Sequence, residues 1–287
     1  MTKENRKIAV LGVGVMGGAI LNGILTKKFC SGSEVTVYDL IPEKVRPFVD
    51  TFGVKAAASA KAAVQGAEVV VLAVKPQYIN ALMEEIAEEL DVETLVISIA
   101  AGVSLSRLQE YLNTGNLIRV MPNTPARIGS GVSGWIADRS VSEEDKAYVR
   151  SFLAQVGIEV EVRNEDQIDQ IGAISGSGPA FVYLFMEAMI DTGVHMGMTR
   201  EAVTELVTQT LIGSAEYLRA RGEHPAVLRN EVTSPGGTTA EGLYYLEREN
   251  FRAAIARCMW ACHDRTRQLR NESARREKNL EIGRAHV

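Results

Sequence analysis

The stretch from Gly12 to Gly17, GVGVMG, limits this chain more than any other part of it. An apolar run, IAVL, precedes it and helix-forming residues follow, so the glycines fall at a strand-to-helix turn. Gly12 permits the tight turn, Gly14 lets main chain approach a pyrophosphate, and Gly17 lets helix and strand pack closely, with Met16 in the same loop. Amides at the head of the following helix add donors and partial positive charge. Asp39 ends the second strand, where a carboxylate accepts from the ribose hydroxyls of NADH and repels the 2′-phosphate of NADPH. The glycine spacing alone is a weak signal; together with strand, helix and acidic residue it reads as a dinucleotide site. Lys44 and Arg46, on the next helix, either reach a phosphate or are solvated surface charges.

The alternation continues beyond this unit. PEKVRPFVDTF and YINALMEEIAEEL read as helices; AEVVVLAV, ETLVISIA and NLIRVMP read as strands. Such runs predict a parallel, doubly wound sheet covered on both faces, an α/β Rossmann-type domain. After IEVEVR the strand signal ends and only helical patterns follow, which divides the chain into a dinucleotide domain, 1–163, and an all-α domain, 164–287. The segment 178–196 is apolar around most of its circumference, more than a small helical domain can bury, which predicts a homodimer.

Composition excludes several classes. A net charge of −5 provides no field for a nucleic acid backbone or an anionic membrane. Three cysteines, Cys30, Cys258 and Cys262, fit a reducing compartment, so cytoplasm is expected. Lys3, Arg6 and Lys7 before the first apolar run imitate a secretory signal, but the glycine turn and the absence of a cleavage pattern argue against one. No other stretch approaches the roughly 18 apolar residues of a membrane span. The final EIGRAHV carries no pattern and reads as a tail or an expression scar.

Three further loops leave strand ends through small residues and prolines: VLAVKPQ with Lys75 and Pro76, ISIAAGV, and VMPNTPARIGSG. Lys75 meets a cofactor phosphate or a substrate carboxylate, or is a solvent-facing lysine. A second glycine turn, SPGGTT, lies far downstream at Ser234–Thr239. Amides of a helix opening near Thr238 can hold a small carboxylate there, although helix capping alone also selects Ser, Thr, Gly and Pro.

The motifs GVGVMGGAI, AVKPQ, AAGVSLSRL, MPNTPA, SGSGPAFVY, VTSPGGTTAEGL and CHDRTRQL occur in this order, and from about Ile8 to Leu269 the chain resembles the pyrroline-5-carboxylate reductase family. The resemblance implies reduction of 1-pyrroline-5-carboxylate to L-proline with NADPH or NADH, and a helical domain that interlocks with a second subunit, with a larger ring of dimers as the further assembly. It implies that Ser234, Gly236, Gly237 and Thr238 hold the substrate carboxylate, with Ser177 of SGSGPA beside the substrate. By the same resemblance Thr239 is expected to bond the ring nitrogen as the catalytic group, and Ala73, Lys75, Pro76, Ala100, Ala101 and Asn123 to flank the cofactor. Two departures stand out. YDL at 38–40 replaces the family's common Ser or Asn-Arg, and SAKAAV lacks a frequent Asn, for which Ser59 is the substitute if the contact exists.

An iminium carbon is already electrophilic, so this chemistry needs orientation and no strong protein acid. That fits a chain with four histidines and no triad. His195 and His224 read as helix-end or loop residues, and His286 falls in the tail. Cys258, Cys262 and His263 share one helix without a fourth ligand nearby, so no metal is assigned. The alternatives are another β-hydroxyacid or imine dehydrogenase of similar build, which needs a helix-borne lysine absent from 164–268, or a non-catalytic dinucleotide-binding paralogue.

Overall fold

The β-branched runs assemble one sheet. Its strands are β1 (Ile8–Leu11), β2 (Val35–Tyr38), β3 (Lys55–Ala56), β4 (Val69–Leu72), β5 (Leu95–Ser98), β6 (Leu117–Met121), β7 (Gly131–Ala137) and β8 (Gly157–Glu161). They are ordered β3-β2-β1-β4-β5-β6-β7-β8. The computed structural model describes residues 6–284, with side chains through residue 268. Lys3, in the signal-like start, and His286, in the tail, lie outside the described residues.

Between the strands run α1 (Val15–Thr26), α2 (Arg46–Phe52), α3 (Ala60–Val64), α4 (Ile79–Ile86), α5 (Leu105–Tyr111) and α6 (Glu143–Leu153). Only helices follow β8: α7 (Glu165–Ile171), α8 (Gly178–His195), α9 (Arg200–Arg221), α10 (Pro225–Glu231), α11 (Thr238–Arg248) and α12 (Phe251–Arg284). The start of EIGRAHV therefore continues α12.

Every residue of β1, β4 and β5 is buried, as befits strands covered on both faces. Alternate side chains build two cores. Ile8 and Val10 join Ile20, Leu21 and Ile24 of α1 and Phe152 of α6, while Ala9 and Leu11 join Ala60, Met83, Leu108 and Ile168 across the sheet. Strand order reverses at β1, flanked by β2 on one side and β4 on the other, so the loops leaving β1 and β4 face the crevice where such sheets bind ligands.

The sheet is not wholly parallel. β7 runs antiparallel to β6, and β8 runs parallel to β7. GVSGWIA gives a weak strand signal because its glycines answer to packing. A β-carbon at Gly134 would lie 2.3 Å from Ile171 Cδ1, and one at Gly131 would lie 2.7 Å from Ala126. α5, α6, α10 and the two-residue β3 also emerge beyond the elements legible in the sequence.

Arg119 of β6, only 3 % exposed, pins α7 to the sheet, with Nη1 on Glu165 Oε1 at 2.9 Å and Nη2 on Asp169 Oδ1 at 3.0 Å. Contacts group the chain into two units, Met1–Ser177 with Cys262–Val287, and Gly178–Ala261. In the second unit α8 has no buried residue, and Tyr183, Leu184, Tyr244 and Trp260 are exposed. Contrary to the sequence expectation, the helical stretch Glu165–His195 is long and apolar enough to cross a membrane by length and composition, with little of it buried. Its alanines raise the mean while, with the glycines, breaking any unbroken run of large apolar residues.

Arg119→Ala leaves two carboxylates without their shared cation in a mostly buried place. The expected loss is about 3–5 kcal/mol, read as a lowered denaturant midpoint at unchanged slope.

Candidate active site

The glycine loop is built by close approach. Gly12 takes φ +101°, and a β-carbon there would lie 2.8 Å from the Ala73 carbonyl oxygen. At Gly17 a β-carbon would fall 2.1 Å from the Gly12 oxygen and 2.9 Å from Ala73 Cβ, so glycine is obligatory and Ala73 must stay small. At Gly14 a β-carbon would meet nothing within 4 Å, so the space before the loop is open. Met16 is half-buried against the core below.

Asp39 reaches back to this loop. Its Oδ2 accepts from the Val13 N–H at 2.7 Å and its Oδ1 from the Ile41 N–H at 2.9 Å, with Lys44 Nζ at 3.7 Å. The carboxylate thus ties the loops after β1 and β2 together, and each oxygen keeps a second lone pair. Beside it lies a cavity of about 540 Å³ lined by Tyr38, Leu40, Val45, Arg46 and Ala56. Arg46 is paired with Asp50 at 3.9 Å and is largely exposed. Lys75, Pro76 and Ala101 are exposed and Ala100 is buried, all past the same strand edge as Gly12 and Asp39.

Helix heads fall into two kinds. α3, α5, α6, α7 and α9 are capped by the side chains of Ser59, Ser104, Ser142, Asn164 and Thr199, and α10 by His224 Nδ1, which accepts from the Ala226 N–H. α2 and α4 continue from 3-10 turns. α1 and α11 open instead on Gly14 and Gly237 with no side-chain cap, so their first amides point outward without a built-in acceptor. The two glycine turns that the sequence marks as anion sites are these two heads.

In the second unit the Gly237 N–H donates to the Ser234 carbonyl at 3.0 Å and Gly236 has φ +68°. Pro235 then Gly236 is the pairing a type II turn selects. A β-carbon at Gly237 would lie 2.4 Å from Ser234 Oγ and 3.2 Å from the Ser234 carbonyl oxygen, so a larger residue there displaces the Ser234 hydroxyl. Ser234, Thr238 and Thr239 are exposed, and the last two form the first turn of α11.

Other expected residues are occupied elsewhere. Ser59 Oγ accepts from the Ala62 N–H as a helix cap. Asn123 is buried with both ends of its amide bonded, to the Val132 N–H and to the Ser175 carbonyl. Ser177 is half-buried just past a π-helical turn, Gly172–Gly176. Burial, and secondarily Glu34, push the Cys30 thiol up to about 11, which removes it as a nucleophile. Among the described residues no cluster of three His, Cys, Asp or Glu is arranged to hold a metal.

The family described as pyrroline-5-carboxylate reductase dimerisation matches residues 165–269, and that described as NADP oxidoreductase, coenzyme F420-dependent, matches residues 7–102. Pyrroline-5-carboxylate reductase of Escherichia coli is 39 % identical over 92 % of this chain and 98 % of its own length. The chain belongs to the pyrroline-5-carboxylate reductase family. The family's enzyme from Coxiella burnetii superposes with a TM-score of 0.87 at 33 % identity, covering 92 % of this chain and 98 % of that one. The pyrroline carboxylate reductase of Plasmodium falciparum, solved with NADP bound, gives 0.84 at 32 % identity over 93 % and 98 %.

For this reductase, Gly17→Ala forces Gly12 or Ala73 to move. The expected result is at least a tenfold weaker Kd for NADPH by fluorescence titration, with an overpacking cost of about 1–3 kcal/mol.

Proposed function

We propose that this chain reduces 1-pyrroline-5-carboxylate to L-proline with NADH or NADPH, its two uncapped helix heads serving as two anion seats. The observation that carries the reading is the contrast in capping: the heads of α1 and α11 open on glycine without a side-chain acceptor, whereas those of α3, α5, α6, α7, α9 and α10 carry one. A pyrophosphate suits the first and a small carboxylate the second.

On the cofactor side, Gly12, Gly14, Met16 and Gly17 cradle the pyrophosphate, and Asp39 offers its remaining lone pairs to the ribose. Lys75, Pro76, Ala73, Ala100 and Ala101 edge the nucleotide. The open space before Gly14 and the cavity beside Asp39 fit a dinucleotide. When bound, the reduced nicotinamide supplies the hydride. Asp39 favours NADH, since Lys44 already faces that carboxylate and Arg46 is turned to Asp50.

On the substrate side, amides at Thr238 and Thr239 hold the carboxylate, with the Gly236–Gly237 turn shaping the seat and Ser234 and Ser177 supporting it. Thr239 orients the ring nitrogen. Among the described residues neither the Thr238 nor the Thr239 hydroxyl has an intramolecular partner, so both are available. A hydroxyl is far too weak an acid to protonate the imine, so the proton arrives with the substrate or from water. No metal is needed.

The exposed apolar surface of α8 and the match to a dimerisation family support a homodimer, with the helical portion from residue 164 onward as the dimerisation and substrate domain and 1–163 as the cofactor domain. A larger ring of dimers, a cytoplasmic setting, and independence from nucleic acid and membrane complete the proposal. Other dehydrogenase classes and a non-catalytic paralogue are not favoured: relatives bearing the reductase name span nearly the whole chain.

Thr239→Ala should lower kcat on the order of tenfold, the loss of one hydrogen bond of about 1.4 kcal/mol, at nearly constant NADPH affinity. Turnover equal to wild type would remove Thr239 from the mechanism. Steady-state kinetics with both nicotinamides should give the higher kcat/KM with NADH, and Asp39→Ser should narrow the gap. Strong selectivity for NADPH would reverse the assignment of Asp39.

A further inference from the structure

Pro179 poses a local problem for the helix it enters. A helical carbonyl accepts from the N–H four residues on, and for Ser175 that residue is Pro179, which has no N–H and whose ring crowds the carbonyl. The chain responds by widening. Gly172–Gly176 forms a π-helical turn, and the Ser177 N–H closes it on the Gly172 carbonyl at 2.9 Å.

The carbonyl of Ser175 then finds its donor across the fold. Asn123 Nδ2 donates to it at 3.2 Å, while Asn123 Oδ1 accepts from the Val132 N–H at 2.9 Å. One buried amide therefore bridges β7 and the π-helical turn. The turn has a fitted seat. A β-carbon at Gly176 would lie 2.9 Å from Met121 Cε, at the end of β6, and Ser175 Oγ donates back to the Ile171 carbonyl at 3.0 Å. π-helical turns of this kind frequently mark functional sites.

We propose that Asn123 is a positioning residue for the substrate: its amide supplies the donor that Pro179 lacks and so fixes the turn that carries Ser177. The inference rests on the assignment of Ser177 to the substrate site. It also takes the Asn123 side chain out of direct cofactor binding.

Asn123→Asp is the isosteric test, since it keeps an acceptor for Val132 and sets a carboxylate oxygen against the Ser175 carbonyl. The KM for pyrroline-5-carboxylate should rise at least fivefold, with a smaller change in kcat and an NADPH Kd within about twofold of wild type. Pro179→Ala restores an N–H to the position that should serve Ser175, so in that background Asn123→Asp should cost less than twofold in KM. An unchanged KM, or a penalty equal in both backgrounds, overturns the proposal, as does a loss of NADPH affinity matching the rise in KM. If Asn123→Asp fails to fold, Asn123→Ser replaces it, and thermal midpoints across the same four-variant cycle read the coupling without turnover. Wild-type turnover is measured alongside, so penalties that merely add on an active enzyme are told apart from an enzyme that never reduced the imine.

Discussion

The contact between Gly17 and the main chain of Gly12 leaves no space for a β-carbon, and the rest of the cofactor side depends on it. It sets where α1 starts, and therefore where its first amides point. Ala73 closes the loop from β4, and Asp39 holds the Val13 N–H from β2. Three strand ends thus agree on one loop geometry before any ligand arrives. Such preorganisation spares the protein the ordering of a loop at the moment of binding.

Imine reduction asks for little acid and much placement, and the structure spends its polar groups accordingly. Serine, threonine and asparagine side chains close the heads of five helices, α3, α5, α6, α7 and α9. Glycine opens α1 and α11, the heads proposed as the two anion seats. The same economy appears in Asp39, whose oxygens serve the protein first and still retain lone pairs. Arg119, Glu165 and Asp169 are structural by contrast, a buried charge cluster that locks α7 onto β6.

Much of this was legible in the residues. The apolar runs of β1, β4 and β5 and the glycine spacing at 12, 14 and 17 suffice for the dinucleotide fold, because each is a pattern within contiguous residues. β7 was not legible, since Gly131 and Gly134 are chosen by distant neighbours, Ala126 and Ile171, and dilute the strand pattern. The positions of Asn123 and Asp39 could be read, but not their partners: whether a side chain faces a ligand or another loop is decided by contacts remote in sequence. The wide turn before α8 had one visible sign, a proline four residues after Ser175, whose meaning emerges only with the carbonyl it deprives of a donor.

α8 contributes no buried side chain within a single chain, yet it is among the most apolar segments of the protein. In the proposed homodimer a helix of that kind draws stability from the subunit that covers it, so its folding free energy would include a mass-action term. Dilution would then act on the Gly178–Ala261 unit much as a denaturant does, whereas the two filled cores lie in the sheet-bearing unit.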